Sequence, residues 1–432
     1  MSKESGRGRR VIVIGGGPAG LMAAITAATN GARVILLERN PEVGRKLLLT
    51  GGGRCNFTYD TDVEGLVAGM PGNGRFLYSA FAAFDSARLR GFLASLGVES
   101  RAEDDGRVFP FSGIGRDVLT ALVTCARKRG VEMRCLWKAE RTFVRDGRVC
   151  GVIAGRVPMS PGLISCDAAI IATGGITYPM TGSTGSGYRM AAELGHTIVE
   201  PRPSLVPLEI EEPWVSGLAG LALRGVAVTS FVAGCKVETG LGEMLFTHFG
   251  VSGPVILALS REIALALRRG EGPVRLVVDL KPGLTQAELD RELRQAFDRY
   301  FRRRVPNALL GLVPARLISI VVREAGIPEA RPVSQVTREE RLALGGVIKG
   351  LVLTVRGTRP VEEGMVTAGG VSVDEIDPRT MGSRLVSGLY FAGEVIDVDG
   401  TTGGFNLQAA FSTGYLAGLS AAIGEVVACD AR

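Results

Sequence analysis

Near its start the chain reads Val11-Ile-Val-Ile-Gly-Gly-Gly-Pro-Ala-Gly20, an apolar run that leads into spaced glycines. Small and apolar residues in a pattern typical of a helix follow over 21–28, and a second apolar run over 33–37 ends at Glu38. A strand, a tight glycine turn, a helix and a strand with an acidic tip form the βαβ unit that binds dinucleotides. We therefore predict an α/β protein with a Rossmann-like domain that begins with this unit.

Each glycine of this turn has a separate physical reason. Gly15 permits the turn, Gly17 lets the backbone approach a pyrophosphate, and Gly20 lets helix and strand pack closely. The N-terminus of the helix then offers free N–H groups to phosphate. Glu38 falls where a carboxylate accepts hydrogen bonds from ribose hydroxyls, and it disfavours a ribose 2′-phosphate because two negative groups repel. The other interpretation of the glycines alone is a purely structural turn.

Further glycine turns follow two later apolar runs, 169–172 and 389–392. Thr173-Gly-Gly175 ends the first run and Gly393-Glu394 ends the second, at the carboxyl ends of predicted strands, where ligands of open α/β sheets lie. Thr402-Gly-Gly-Phe-Asn-Leu-Gln408 then opens a predicted helix over 407–416, whose N-terminal end carries a positive partial charge. The other interpretation of that stretch is an ordinary helix cap. Together the segments predict one site built by both chain ends.

In this order the segments resemble the two-dinucleotide-binding-domain flavoproteins. They are most similar to the bacterial BaiN/RdsA-like (YhiN-type) NAD(P)/FAD-dependent oxidoreductases, also catalogued as aminoacetone-oxidase-like enzymes. The resemblance covers nearly the whole chain. Besides residues 15–20 it rests on the following segments: Gly44-Arg-Lys-Leu-Leu-Leu-Thr-Gly-Gly-Gly-Arg-Cys-Asn56, Ile171-Ala-Thr-Gly-Gly175, Thr181-Gly-Ser-Thr-Gly-Ser-Gly-Tyr188, Phe246-Thr-His-Phe-Gly-Val-Ser-Gly-Pro254, and Gly393-Glu-Val-Ile-Asp397 through Gln408.

The resemblance implies FAD as the cofactor and NAD(P)H as a transient electron donor. It places Glu394 at the ribityl or pyrophosphate part of FAD and the 181–187 turn near the flavin. The loop at 50–56 can donate hydrogen bonds to a flat ligand, or it is an ordinary surface loop. Lys46 and Arg54 would stabilise anionic flavin or bind phosphate, unless they are solvated. The full set of predicted cofactor-binding residues is Gly15, Gly17, Pro18, Ala19, Gly20, Glu38, Arg39, Lys46, Thr50, Gly52, Gly53, Arg54, Cys55, Asn56, Ala172, Thr173, Gly174, Gly393, Glu394, Gly403, Gly404, Phe405, Asn406 and Leu407.

The composition, with 432 residues of which 46% are hydrophobic and 22% charged, is sufficient for two or three packed domains. No apolar run reaches the ~18 residues of a membrane span, and the one after the basic start is too short for a signal peptide. We therefore expect a cytoplasmic protein with no membrane partner. The seven cysteines form no CxxC pair, which argues against a redox-active disulfide. With only His196 and His248, we expect no metal site.

The pattern of elements divides the chain into three predicted parts. Residues 1–200 and 356–432 form the discontinuous FAD-binding domain, which includes a β-meander with Asp146-Gly147 as a hairpin turn. Residues 201–281 and 346–355 form an inserted β-barrel or sandwich, with a helix from about 254 to 268. The part between them, 282–345, is a small helical subdomain.

The helical subdomain is predicted to be basic. Thr285-Gln-Ala-Glu288 is a capping box that begins its first helix. Residues 281–349 contain thirteen Lys/Arg and eight Asp/Glu, an excess of five positive charges, whereas the entire chain carries +6. A basic subdomain on a nearly neutral remainder fits a polyanionic partner such as ribosomal RNA. The alternative is a solvated surface.

Three classes of function agree with these patterns. The first is an NAD(P)H-driven reductase that passes flavin hydride to a C=C bond, either in a uridine of 23S rRNA, giving dihydrouridine, or in an enone such as a 3-oxo bile acid. The basic subdomain favours the RNA substrate. The second is an oxidase of aminoacetone or a similar amine, which needs no NAD(P)H; the absence of a second βαβ glycine fingerprint supports it. The third is a flavin-bearing assembly factor without turnover.

Two residues are candidate catalytic groups. Cys55 belongs to the segment expected beside the flavin, and its thiol could protonate the carbon opposite the hydride acceptor. Its other interpretation is a small side chain packed by the ring. His248 lies in a motif of the inserted domain that could face the flavin, or it is a satisfied loop histidine.

Overall fold

The computed structural model describes residues 8–424, and contacts divide the chain into two units. The first unit comprises the residues up to Arg202 together with those from Met365 onward, and the second comprises Pro203–Gly364. Strand β17 below, Leu351–Thr358, crosses the sequence boundary drawn at residue 356. The finer three-part division stays a prediction.

The first stretch of chain supplies most of the first unit. Its strands and helices are β1 (Arg10–Ile14), α1 (Pro18–Thr29), β2 (Arg33–Glu38), β3 (Thr58–Tyr59), α2 (Val63–Ala68), α3 (Tyr78–Ala83), α4 (Ser86–Ser95), β4 (Ser100–Ala102), β5 (Arg107–Pro110), α5 (Gly115–Lys128), β6 (Glu132–Cys135), β7 (Trp137–Arg145), β8 (Arg148–Arg156), β9 (Gly162–Ser165), β10 (Ala168–Ile171), α6 (Ser186–Ala192) and β11 (Ile198–Ser204).

The second unit and the return to the first follow in the chain. The second unit has β12 (Leu208–Ile210), β13 (Ala222–Val232), β14 (Cys235–Phe246), β15 (Gly250–Ser252), α7 (Pro254–Arg269), β16 (Val274–Asp279), α8 (Gln286–Arg299), α9 (Val305–Ala308), α10 (Ile318–Glu324), α11 (Arg338–Lys349) and β17 (Leu351–Thr358). The returning chain forms β18 (Val366–Val371), β19 (Ile376–Asp377), β20 (Gly382–Ser383), β21 (Leu389–Phe391) and α12 (Phe405–Ile423).

The first unit is built on a seven-stranded sheet in the order β19-β20-β21-β10-β1-β2-β6. The strands β21, β10, β1, β2 and β6 pair in parallel, and β1 lies between β10 and β2. Residues Val11–Ile14 of β1 are buried because the sheet is covered on both faces. The predicted hairpin is confirmed, since β7 and β8 pair around Asp146-Gly147.

The first and last helices of the first unit pack directly on each other through small residues. A Cβ atom added at Gly414 would lie 2.3 Å from the carbonyl oxygen of Ala19, and one at Gly418 would lie 2.3 Å from that of Ala23. Only glycine allows α12 to approach the backbone of α1 this closely. Residues near the two ends of the chain are therefore joined in one core beside β1.

The second unit contains a closed barrel in the order β12-β15-β14-β13-β16-β17. Side chains of the barrel share a core with residues of the helical segment, among them Leu289, Leu293 and Leu344. The predicted capping box at Thr285 is confirmed, and Thr337 with Glu340 forms a second one at the start of α11. The predicted fold class, a Rossmann-like α/β domain interrupted by a β-barrel and helices, is confirmed.

Candidate functional site

The turn after β1 places its three glycines as their separate roles require. Gly15 has a φ of +107°, and a Cβ there would lie 2.4 Å from the carbonyl oxygen of Ala172. A Cβ at Gly20 would lie 1.9 Å from the carbonyl oxygen of Gly15, so α1 packs tightly on the turn. At Gly17, by contrast, no protein atom lies within 4 Å of an added Cβ. The space over Gly17 is therefore free for a ligand.

Glu38 holds this turn from the tip of β2. Its Oε2 accepts a hydrogen bond from the backbone N–H of Gly16 at 2.8 Å. Its Oε1 accepts two more, from the backbone and the side-chain amide of Asn40, both at 2.8 Å. A carboxylate has about four acceptor positions, which leaves one for a ribose hydroxyl. Glu38 thus both orders the turn and borders the ligand space.

A pocket of about 1330 Å³, including its open side, extends along the carboxyl edge of this sheet. The carboxyl edge of a parallel sheet is where dinucleotides bind in folds of this type. Both ends of the chain contribute to the pocket. The predicted residues that line it are Gly15, Gly17, Pro18, Ala19, Glu38, Arg39, Lys46, Thr50, Ala172, Thr173, Gly174, Gly393, Glu394, Asn406 and Leu407.

The centre of the pocket wall carries an ion pair between Lys46 and Glu394. The Nζ atom of Lys46 lies 2.7 Å from Oε2 of Glu394 and donates another hydrogen bond, of 2.8 Å, to the hydroxyl of Thr177. Glu394 also accepts the backbone N–H of Thr367 at 2.7 Å. Because each charged side chain is only 21% exposed, the pair is partly shielded from water. It fixes both side chains at the pocket wall and joins the two ends of the chain.

Two helix N-termini open into the pocket. Helix α1 starts with Pro18 after Gly17, and α12 starts after Gly404; neither end has a side-chain cap. Asn406 in the first turn of α12 is bonded to Gly400 instead. Uncapped N-termini leave N–H groups and a positive partial charge for an anionic ligand. The two helix N-termini can therefore stabilise the negative charge of a dinucleotide's phosphates and negative charge on its ring system.

Three features of the pocket wall suit FAD: the free space over Gly17, the remaining acceptor position of Glu38 and the uncapped start of α12. Thr173 also lines the pocket, and its hydroxyl oxygen is buried without a hydrogen-bond partner within residues 8–424. The buried side-chain oxygen of Asn56, which also has no partner in the described chain, lies outside the pocket lining. Buried polar atoms are nearly always bonded. The residues present therefore fit FAD, which would be held by the Gly17 turn, Glu38, Thr173 and the start of α12.

Other predicted binding residues do not line the pocket. Arg54 forms an ion pair with Glu103, and its guanidinium lies 3.8 Å from the ring centre of Phe109. The ring of Phe405 stacks on Tyr59 at 4.9 Å. The predicted residues outside the lining are Gly20, Gly52, Gly53, Arg54, Cys55, Asn56, Gly403, Gly404 and Phe405. Their binding of FAD stays a prediction.

Cys55 is fully buried, with a φ of +63°. Burial raises the pKa of its thiol to about 12, and a hydrogen bond with Thr50 offsets this only in part. The thiol therefore keeps its proton at neutral pH. It is absent from the pocket lining, so its role as proton donor stays a prediction.

Alkylation tests this description of Cys55. Treatment of the native protein with iodoacetamide at mildly alkaline pH is expected to modify the exposed Cys235 and to leave Cys55 unmodified, because only an accessible thiolate reacts. Peptide mapping by mass spectrometry reads each site, and protein unfolded in urea should be modified at both. Equal labelling of the two cysteines in native protein would contradict the burial.

The two histidines lie in different units. His196 is a satisfied core residue of the first unit, with its ring nitrogens 3.1 Å from Glu375 and 2.8 Å from Ser383. Desolvation lowers its pKa despite Glu375, which keeps the ring neutral at pH 7. His248 lies between β14 and β15 of the second unit, edge-on to Phe249. The catalytic role of His248 stays a prediction.

The comparison with known families agrees with this arrangement. The HI0933-like protein Rossmann domain matches residues 9–420. The chain belongs to the HI0933-like family. A relative from Clostridium scindens, a 3-dehydro-bile acid delta(4,6)-reductase, is 32% identical, with 96% of this chain and 99% of the relative aligned. A ribosomal RNA dihydrouridine synthase from Haemophilus influenzae is 30% identical, with 95% and 97% aligned.

Solved structures of other flavoproteins have the same fold at low identity. A 3-ketosteroid delta1-dehydrogenase from Sterolibacterium denitrificans superposes with a TM-score of 0.53 at 13% identity, covering 97% of this chain and all of that one. E. coli quinol fumarate reductase gives 0.52 at 17% identity, covering 96% of this chain and 70% of that one. This HI0933-like family member is an FAD-dependent oxidoreductase. None of its described helices is long and apolar enough to cross a membrane.

Sequence reasoning missed part of the pocket wall of this family member. Trp137, Lys138 and Ala139 at the start of β7 line the pocket, as do Met365 and Val366 where the chain returns to the first unit. Residues 137–139 carried no signal beyond a strand pattern. Asn40, two residues after Glu38, could have been found, because a polar amide beside the acidic tip is well placed to orient it.

Proposed function

We propose that this protein reduces a carbon–carbon double bond with electrons from NAD(P)H, and that its substrate is a uridine of 23S ribosomal RNA, which becomes dihydrouridine. FAD held by the Gly17 turn, Glu38 and the start of α12 would supply the hydride chemistry of this reduction. The protein has to supply one proton to the neighbouring carbon, so that the double bond gains a hydride and a proton. We assign that proton to Cys55 or His248. Such a substrate would place the protein in the cytoplasm.

One observation carries the choice of RNA. The excess of five positive charges in residues 281–349 nearly equals the charge of the whole chain, and phosphate neutralisation supplies most of the affinity of proteins for nucleic acids. Two ribosomal RNA dihydrouridine synthases, from H. influenzae and Escherichia coli, are 30% identical to this chain. An enone reductase has no need of a basic segment.

A small-molecule enone is the second candidate substrate. The observation that favours it is the 32% identity, over almost the whole length, to an enzyme named for a bile-acid derivative. Such a substrate is apolar and flat. The same reduction of a C=C bond would then proceed without a role for the basic segment.

Anaerobic stopped-flow spectroscopy separates the candidates. NADH or NADPH is expected to bleach the flavin absorbance, and ribosomal RNA without bound protein to restore it faster than oxygen does. Recovery of the flavin absorbance with a 3-oxo-Δ4 steroid but not with RNA would show that the substrate is an enone. Bleaching by aminoacetone and by neither nucleotide, followed by rapid recovery with oxygen, would replace the reductase with an amine oxidase.

A further inference from the structure

Helices α8 and α11 lie side by side in the second unit, with the C-terminal half of α8 along the start of α11. Asp290 of α8 joins them, because its Oδ1 lies 2.7 Å from Nε of Arg341 and its Oδ2 lies 2.6 Å from Nη2 of Arg294. These two ion pairs lower the pKa of the Asp290 carboxyl. One buried carboxylate therefore holds two guanidinium groups and leaves a net positive charge.

A shallow groove runs over this joint. It is lined by Arg294, Phe297, Asp298, Arg338 and Arg341. Arg338 is exposed and, within residues 8–424, makes no ion pair. Three arginines and one carboxylate, that of Asp298, line the groove, and Asp290 adds a second carboxylate. The groove therefore keeps an excess positive charge. Phe297 gives it an apolar floor.

An arginine tract continues from the same end of α8. Residues 301–304 read Phe-Arg-Arg-Arg and are all exposed. Their backbone pairs with the segment that leads to α11, through hydrogen bonds from Val333 N to Arg303 O at 2.8 Å and from Ser334 N to Phe301 O at 3.2 Å. The tract is thus held beside the groove by its backbone.

The arginine side chains of this tract are available to a binding partner. Arg302, Arg303 and Arg304 form no ion pair in the part of the chain that the structure describes. In the same region Arg331 is already paired with Glu340. Phe301 is 57% exposed next to the tract. Unpaired guanidinium groups bind phosphates and stack on bases, and an exposed aromatic ring offers a second stacking surface.

We propose that this surface, defined as the groove residues Arg294, Phe297, Arg338 and Arg341 with the tract 301–304, binds the phosphate backbone of RNA. The inference rests on the proposed RNA substrate and gives it a docking surface within the second unit. Arg302, Arg303, Arg304 and Arg338 make the phosphate contacts. Arg294 and Arg341 hold the two helices together through Asp290, and Phe301 contacts an unpaired base.

The test compares two variants of the full-length FAD-loaded protein. The first removes four charges from the surface, R302Q/R303Q/R304Q/R338Q. The control removes four charges from exposed side chains of the first unit that form no ion pair among the described residues, R101Q/R116Q/R127Q/K128Q. Both variants change the net charge equally. Arg294 and Arg341 are kept so that the joint at Asp290 remains intact.

Binding to ribosomal RNA stripped of protein is measured across a salt series. The surface variant is expected to bind at least about tenfold more weakly, with a slope of log K against log salt that is shallower by about 0.7 for each lost phosphate contact. The control should stay within about threefold of the unaltered protein, since it loses no contact. Flavin reduction by NAD(P)H should be unchanged in both.

The outcomes separate this inference from the proposed function. Equal weakening by both variants, or no RNA binding by the unaltered protein, overturns the docking surface. Competition by millimolar inorganic phosphate at constant ionic strength would reassign the groove to a free phosphate and overturn the RNA assignment. If RNA binds through the surface but never reoxidises the flavin, the docking surface stands and the proposed substrate fails. If the surface variant binds RNA as tightly as the unaltered protein and RNA still reoxidises the flavin, the proposed substrate stands and the docking surface fails.

Discussion

Replacing Gly17 with alanine is expected to weaken FAD binding by about 10- to 100-fold while leaving the unloaded protein folded. The added Cβ meets no protein atom within 4 Å but enters the ligand space, and crowding of a close-packed contact costs about 1–3 kcal/mol. Alanine adopts the φ of −76° found at this position without strain. Fluorescence titration of the unloaded protein with FAD gives the affinity.

Gly20→Ala is the matched comparison for this prediction. Its Cβ would lie 1.9 Å from the carbonyl oxygen of Gly15. This substitution is therefore expected to lower the thermal stability of the unloaded protein. Equal stability losses for the two variants, or unaltered FAD affinity in Gly17→Ala, would contradict the position of the ligand over Gly17.

The second large effect is expected from Gly414→Val. Its side chain cannot fit where even a Cβ lies 2.3 Å from the carbonyl oxygen of Ala19, so α12 has to move away from α1. Overpacking costs about 1–3 kcal/mol, and a β-branched residue against the backbone belongs at the upper end of that range. Because Ala19 and Leu407 both line the pocket, we expect a lower melting temperature together with loss of FAD.

Gly346→Val in α11 is the control for Gly414→Val. Apart from the backbone of its own helix and its chain neighbours, no atom lies within 4 Å of a Cβ at Gly346, so only the difference in helix propensity between glycine and valine acts there. Thermal unfolding with and without added FAD measures both variants. A melting temperature of Gly414→Val no lower than that of Gly346→Val would show that α1 and α12 do not pack as described.

The parts of the fold that could be predicted from the sequence are those fixed by local chemistry. The glycines at 15, 17 and 20 have roles set by backbone geometry, and the acid at the tip of β2 follows from its distance along the chain. The capping box at Thr285 is equally local, since it joins residues three apart. These features need no knowledge of distant contacts.

The rest of the site depends on distant contacts, which a single sequence does not display. Lys46 and Glu394 are 348 residues apart, and nothing in either segment identifies the other as its partner. Arg54 is drawn away from the pocket by Glu103 and Phe109. Cys55 follows a glycine turn that directs it into the core. The sequence displays the types of these residues but not the directions of their side chains.

The packing of α12 on α1 has a consequence for biosynthesis. A ribosome releases β1 and α1 early, yet the second helix N-terminus of the pocket arrives only after residue 405 has been translated and has left the exit tunnel. Until then the surface of α1 that α12 covers is exposed, and the pocket lacks Glu394 and Asn406. FAD is therefore bound late in maturation. The yellow colour of bound flavin in a chain shows that α12 has been translated.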